Sequence, residues 1–162
     1  METREILHEV AAAAIVIKKG KYLIIRRSKK KKRFPSMWTL PGGKLETKDY
    51  INLPKDTKNY WYNVLENTLK REVYEEVRVG IDNVEYVTSL ATVHADGNPS
   101  LVISCMADYK SGRVKLQENE ADDFSWVSLD EAKTYDLIDG IYDELVMAEN
   151  KRKGEKLEWQ RF

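Results

Sequence analysis

The apolar positions of this chain fall first into runs of strand length and later into a helical stripe. Residues 10–18 and 21–28 read as two apolar strands joined by Lys19-Gly20, a hairpin signal. Residues 38–40 form a shorter strand, broken by Pro41-Gly42-Gly43. Residues 52–59 are polar, contain Pro54, and read as an irregular loop. From Tyr60 the period changes. Leu65, Leu69, Val73 and Val77 recur at every fourth position, the stripe of an amphipathic helix running to Val77. Residues 84–93 and 101–109 are strands again, with Asp96-Gly97-Asn98-Pro99 as the turn between them, and residues 113–116 and 124–127 are shorter ones. Ser128, with Glu131 three residues on, gives a capping box that opens a helix. A last helix spans residues 139–151, and residues 152–162 form a polar tail. This order predicts an α+β fold, with helices packed on both faces of a mixed β-sheet.

At 162 residues the chain has the size of one domain, and neither a repeat nor a long linker divides it. The longest apolar stretch, residues 10–17, is too short to cross a bilayer, and residues 1–9 lack the basic start of a secretory signal. A cytoplasmic protein without a membrane partner is expected. Cys105 is the single cysteine, so no internal disulfide forms, in keeping with a reducing compartment.

Charge adds one feature. Residues 1–33 hold 11 Lys/Arg against 3 Asp/Glu, and residues 118–150 hold 1 against 11. Such blocks read as opposite faces or solvated loops. The run Lys29-Lys30-Lys31-Lys32-Arg33 lies between two strands and reads as a solvated loop, with steering of a polyphosphate as its second role. A nucleic-acid partner is not expected.

The chemistry concentrates in Arg71-Glu72-Val73-Tyr74-Glu75-Glu76. On a helix Glu72, Glu75 and Glu76 group three carboxylates on one flank, beside the apolar stripe. Like charges so packed ask for a cation, and oxygen donors suit Mg²⁺ or Mn²⁺ better than zinc. His8, His94 and Cys105 form no zinc pattern. Arg71 reaches Glu75 one turn on. A solvated acidic face would look the same, so the context upstream decides.

That context is Leu40-Pro41-Gly42-Gly43-Lys44-Leu45-Glu46, a glycine turn that admits close approach of backbone to a ligand. Followed by Arg71-Glu72-Val73-Tyr74-Glu75-Glu76-Val77, it resembles the signature of the Nudix hydrolase family, G-x5-E-x7-R-E-U-x-E-E-x-G-U with U aliphatic. Trp38 before the turn and Trp126-Val127-Ser128-Leu129-Asp130-Glu131 late in the chain extend the resemblance over residues 10–145. Three departures stand out. Asp49 occupies the place of the first glutamate. Residues 50–70 separate it from Arg71, an insertion of 14 residues, placed at about 50–63. Arg78 stands where the family has a helix-ending glycine. Either Arg78 adopts a left-handed backbone at a cost of roughly 1 kcal/mol, or the helix runs on to Gly80.

The resemblance implies a Nudix-type α/β/α sandwich that hydrolyses nucleoside diphosphates linked to another moiety. It implies Glu72, Glu75, Glu76 and the carbonyl of Gly42 as ligands of Mg²⁺ or Mn²⁺, with Gly43, Asp49 and Arg71 in support. Glu72 and Glu76 are also catalytic candidates. So is Glu120, ahead of Glu118, as a proton acceptor on the late acidic loop. Arg26 and Arg27 alternate across a strand, so one faces the site; Arg26 is taken as the phosphate-binding candidate. Trp38 is a candidate to stack on a base or to pack at the sheet edge. Trp61, with Tyr60 and Tyr62, is a candidate wall of a flap at the pocket mouth or plain packing at the helix entry. The proline-rich array of NADH-cleaving members is absent. By elimination the expected substrate is a (d)NTP or modified nucleotide, with ADP-ribose or a nucleoside diphosphate sugar next. The competing class is a nucleotide-sensing module without chemistry, against which the intact Glu72, Glu75 and Glu76 weigh. Trp159 and Phe162 in the tail are candidates to dock on the body or on a second subunit, as in a homodimer.

Overall fold

The structure, a computed structural model, describes residues 6–155. Trp159 and Phe162 lie outside the described residues. Strands β1 (Glu9–Lys18) and β2 (Lys21–Arg27) form the expected hairpin, with Lys19 and Gly20 both at positive φ. That backbone twist matches the strands it joins. Then come β3 (Trp38–Thr39), β4 (Gly42–Lys44), helix α1 (Val64–Val77), β5 (Gly80–Val93), β6 (Pro99–Ser111), β7 (Ala121–Val127), α2 (Leu129–Ala132) and α3 (Ile141–Arg152). Among the described residues the seven strands make one mixed sheet, in the order β3-β2-β1-β6-β5, with β4 paired to β1 and β7 to β2.

Strand alternation sorts the apolar residues into two cores. Ala12, Ala14 and Val16 of β1 and Leu23 and Ile25 of β2 face α1, meeting Leu69, Val73 and Val77. Ile15, Ile17, Tyr22 and Ile24 face the other way and pack with Leu145, Met147 and Ala148 of α3. Both faces of the sheet are therefore covered, which makes the sandwich. Leu69, Val73 and Val77 are shut off from solvent, and each contributes about 1.5–3 kcal/mol through burial.

Three expectations need correcting. Pro41-Gly42-Gly43 does not only turn: residues 42–44 pair with β1, Gly42 opposite Ala13 and Lys44 opposite Ala11. The helix starts at Val64, not near Tyr60, because Asn63 takes a left-handed backbone, with φ 54°, that a helix cannot include. Residues 113–116 are not a strand. Their chain runs along the end of α1 instead, where the Lys115 N–H donates to Val77 O and the Gln117 N–H to Glu76 O, both at 2.9 Å. These bonds satisfy carbonyls that the last helical turn leaves open.

Candidate active site

The site forms where β1 and β2 part. They pair only beside their turn, Ile17 with Tyr22 and Lys18 with Lys21. Farther along, the same edge of β1 takes β4, and the Ala14 N–H donates to Pro41 O at 2.8 Å. The two glycines serve different needs. A Cβ on Gly42 would run into the backbone of Ala12, and one on Gly43 would overlap the Glu72 carboxylate. Helix α1 thus lies close enough to β4 for its acids to touch the glycine strand.

Glu76 is the one buried acid of α1, 9% exposed, and its Oε2 accepts the Gly42 N–H at 3.0 Å. Burial pushes its carboxyl up to about 7, and Glu120 and Glu72 add to the rise, while the Gly42 N–H and Arg27 oppose it. Glu72 is half-buried, and burial raises it too, against the pull of Arg71. Arg71 works as a fork. Nη1 donates to Glu75 at 2.8 Å, and Nη2 donates to Glu72 at 3.0 Å and to Asp49. The Asp49 carboxylate is 1% exposed and also accepts the Glu46 N–H at 2.8 Å. Asp49 therefore reaches Arg71 in spite of the insertion, by way of a short 3₁₀ turn at Thr47–Asp49.

The late acidic loop arrives from the other side. Ser28 donates its N–H to Glu120 O at 3.0 Å, and Lys31 Nζ binds Glu120 Oε2 at 2.6 Å. The Gln117 N–H on Glu76 O at 2.9 Å ties this loop to the end of α1, and Glu120 adds to the rise of the Glu76 carboxyl. The basic run is accordingly not wholly solvated, since Lys31 and Arg33 are paired.

The arginine choice is corrected. Arg26 lies on the face of the sheet away from α1, bonded to Asp122 at 2.6 Å and stacked over Trp38 at 5.8 Å. Its neighbour Arg27 shares the face of Leu23 and Ile25. Burial lowers its guanidinium, and Glu76 and Glu120 raise it, which puts Arg27 among the acids. Alternation identified the pair; only the phase of β2 against α1 separates them. Trp38 follows the packing reading, edge-on to Tyr135 at 4.7 Å within the α3 core. Trp61 is engaged in its own insertion: the indole N–H donates to Leu53 O at 2.9 Å and the ring packs on Tyr50 at 5.3 Å.

Arg78 takes the first of its two alternatives. It ends α1 with φ 59° and donates its N–H to Tyr74 O at 2.9 Å.

Among the described residues no three acidic, histidine or cysteine side chains converge into a finished metal cage. Arg71 holds Glu72 and Glu75, and the Gly42 N–H holds Glu76. The donor chemistry still fits a divalent ion. All the groups are carboxylate oxygens, Glu72 and Glu120 raise Glu76 by repulsion, and a hard cation relieves that repulsion.

Clustered acids and a partly buried arginine on a helix–sheet sandwich suit the class to which the following matches point, hydrolases that act on phosphorus-containing anhydrides. The family follows from the sequence as a whole. The NUDIX domain profile matches residues 7–146, and the chain belongs to the Nudix family. It is similar to the NAD-capped RNA hydrolase NudC of Mannheimia succiniciproducens, 36% identical over 66 residues, 41% of this chain and 24% of that one. The mitochondrial NAD(P)H pyrophosphatase NUDT13 of Mus musculus is 39% identical over 72 residues, 43% of this chain and 20% of that one. These matches span about a quarter of the relatives' length or less. The MutT NUDIX hydrolase of Burkholderia pseudomallei shares the fold, with a TM-score of 0.69 at 20% identity, over 86% of this chain and 97% of that one.

Proposed function

We propose that this protein hydrolyses a pyrophosphate bond in a nucleoside diphosphate-linked substrate with the help of Mg²⁺ or Mn²⁺, and that the substrate is a (d)NTP or modified nucleotide. The observation that carries this reading is Glu76: buried, hydrogen-bonded to the glycine strand, and adjacent to Glu72, Glu120 and Arg27. Glu72, Glu75, Glu76 and the Gly42 carbonyl would hold the ion, which supplies charge neutralisation for the pyrophosphate and a more acidic bound water. Arg71, itself held by Asp49, keeps Glu72 and Glu75 in register. Arg27 would grip a phosphate oxygen, and its burial strengthens that contact. Glu120, or a glutamate of the helix, would accept the proton of the attacking water.

A second reading, a dinucleotide of the NAD type, draws support from the names of the two relatives. A panel separates them: (d)NTPs, oxidised nucleotides, ADP-ribose, nucleoside diphosphate sugars and NADH, each with Mg²⁺, scored by product release. The highest kcat/KM on a nucleoside triphosphate supports the first reading, and on NADH the second. Tight binding of a nucleotide without turnover of any would identify a sensing module instead.

A further inference from the structure

The C-terminal end of α1 borders a cavity of about 210 Å³, lined by Glu75, Arg78, Lys115, Leu116 and Gln117. Its walls are fixed by backbone. The Lys115 and Gln117 N–H groups bond to the last carbonyls of the helix, and Val114 and Leu116 pack against the core beneath it. Gly112 lets the same segment come close, since a Cβ there would run into the Arg78 carbonyl.

Two cations rim this cavity, and the fold accounts for neither. Arg78 holds a left-handed backbone that glycine would adopt without cost. A cation at a helix end can serve the open carbonyls. Here the N–H groups of Arg78, Lys115 and Gln117 already bond to Tyr74, Val77 and Glu76. Nor, among the described residues, does an acid engage either cation. Glu75, three positions before Arg78, pairs with Arg71 instead, and Arg78 lies over the Tyr74 ring at 5.3 Å. Both side chains are exposed, so either can turn toward a ligand.

We infer that Arg78 and Lys115 form an anion subsite for the terminal phosphates of a nucleoside triphosphate, the part that departs as pyrophosphate. The inference rests on the proposed hydrolysis at Glu72, Glu75 and Glu76. Glu75 belongs both to that acid cluster and to the cavity wall. Phosphates extending past the cluster on this side therefore enter between two cations, which suit them by charge and by N–H donors. In the reaction one P–O bond to water's oxygen forms and one to the bridging oxygen breaks. The electron pair stays on the bridging oxygen, and the water's proton passes to a carboxylate. ADP-ribose and nucleoside diphosphate sugars put a sugar where the triphosphate puts a further phosphate, so the pair favours the triphosphate.

The test is calorimetric titration of the full chain with inorganic pyrophosphate and Mg²⁺, beside kcat/KM on nucleoside triphosphates. Wild type should bind pyrophosphate, and Arg78→Gly/Lys115→Gln should weaken that binding by about tenfold or more. Its kcat/KM on triphosphates should fall likewise, while any cleavage of a nucleoside diphosphate sugar changes by less than about twofold. Glycine suits the backbone at position 78 and Lys115 is exposed, so Tm should hold. Lys133→Gln/Lys153→Gln removes the same charge beside α2 and α3 and should leave pyrophosphate affinity unchanged. A wild type that does not bind pyrophosphate, a double variant that binds it equally well, or an equal loss in the Lys133/Lys153 control overturns the inference. Two results separate it from the proposed activity. Pyrophosphate binding that depends on Arg78 and Lys115, without turnover of any nucleotide, keeps the subsite and removes the activity. Wild-type triphosphate hydrolysis by the double variant keeps the activity and removes the subsite.

Discussion

Asp49 and Arg71 stand 22 positions apart and meet in a hydrogen-bonded ion pair in which the acid is almost wholly buried. The 14-residue insertion loops out between them without separating them. Arg71 in turn holds Glu72 and Glu75, so Asp49 sets the posture of two acids that it does not touch. Asp49 makes this clamp from the end of a short 3₁₀ turn, with the Glu46 N–H closing it at 2.8 Å.

Asp49→Ala should therefore affect both stability and rate. Loss of a charge-assisted bond that leaves Arg71 half-satisfied costs about 2 kcal/mol, and a loosened second layer around a metal site costs about 10–100-fold in activity. Urea unfolding and kcat/KM measure the two. Wild-type values for both would remove Asp49 from the clamp.

Glu76→Gln separates the structural from the chemical role of one side chain. The amide oxygen can still accept the Gly42 N–H, so the fold and Tm should hold. The lost charge should lower kcat to below about a tenth of wild type, as expected for a metal-holding carboxylate. Activity above that level would show that Glu76 only anchors α1 to β4.

Metal dependence follows from the donor set. Hydrolysis should stop with a chelator, return with Mg²⁺ or Mn²⁺, and not return with zinc at matched concentration. A metal-stripped sample that works at full rate would rule out the proposed use of Glu72, Glu75 and Glu76.

Much of this was legible in the residues. Strand-length runs and the four-residue stripe located both cores, and spacing alone placed Glu72, Glu75 and Glu76 on one flank of α1. What the sequence hid depends on distant chain. Residues 113–116 look like a strand, yet their partners are the carbonyls of Val77 and Glu76 at a helix end. Arg26 and Arg27 differ only in which face of β2 they occupy, a matter decided by where α1 docks. Asp49 carries no local sign that it will find Arg71 beyond an insertion.

Acid titration reports on a second network, at the start of β1. Glu9 accepts from Arg33 at 2.9 Å, Ser100 at 2.9 Å and Lys44 at 3.2 Å. Arg33 above all, then Ser100 and Lys44, hold its carboxyl down to about 2 from an ordinary 4.5. A depressed acid stabilises the fold above its unfolded value, and that contribution fades as pH falls from about 4.5 through about 2. Glu9→Gln should melt below wild type at pH 7, and the two curves should converge as pH approaches 2. A gap in Tm that stays constant across this window would mean that Glu9 acts through packing, not charge.

The insertion yields the last prediction, and here the contacts favour packing over substrate binding. Trp61 closes the loop on itself: its N–H donates to Leu53 O, its ring meets Tyr50, and Lys55 lies over it at 5.1 Å. Asp56 adds a brace by accepting the Tyr62 N–H at 2.8 Å. Removing the indole forfeits one hydrogen bond and the ring contacts, about 1–2 kcal/mol together. For a chain of this length that is a fall in Tm of roughly 2–8 °C. Trp61→Ala should also speed proteolysis within residues 50–63, where lost packing frees the backbone. Its kcat/KM should stay within about twofold of wild type, because uniform binding is not what the indole supplies. Tyr60 and Tyr62 are 62% and 57% exposed, so alanine at either should leave Tm unchanged. The opposite result for Trp61, a several-fold rise in KM at constant Tm, would place the indole against the substrate and restore the flap.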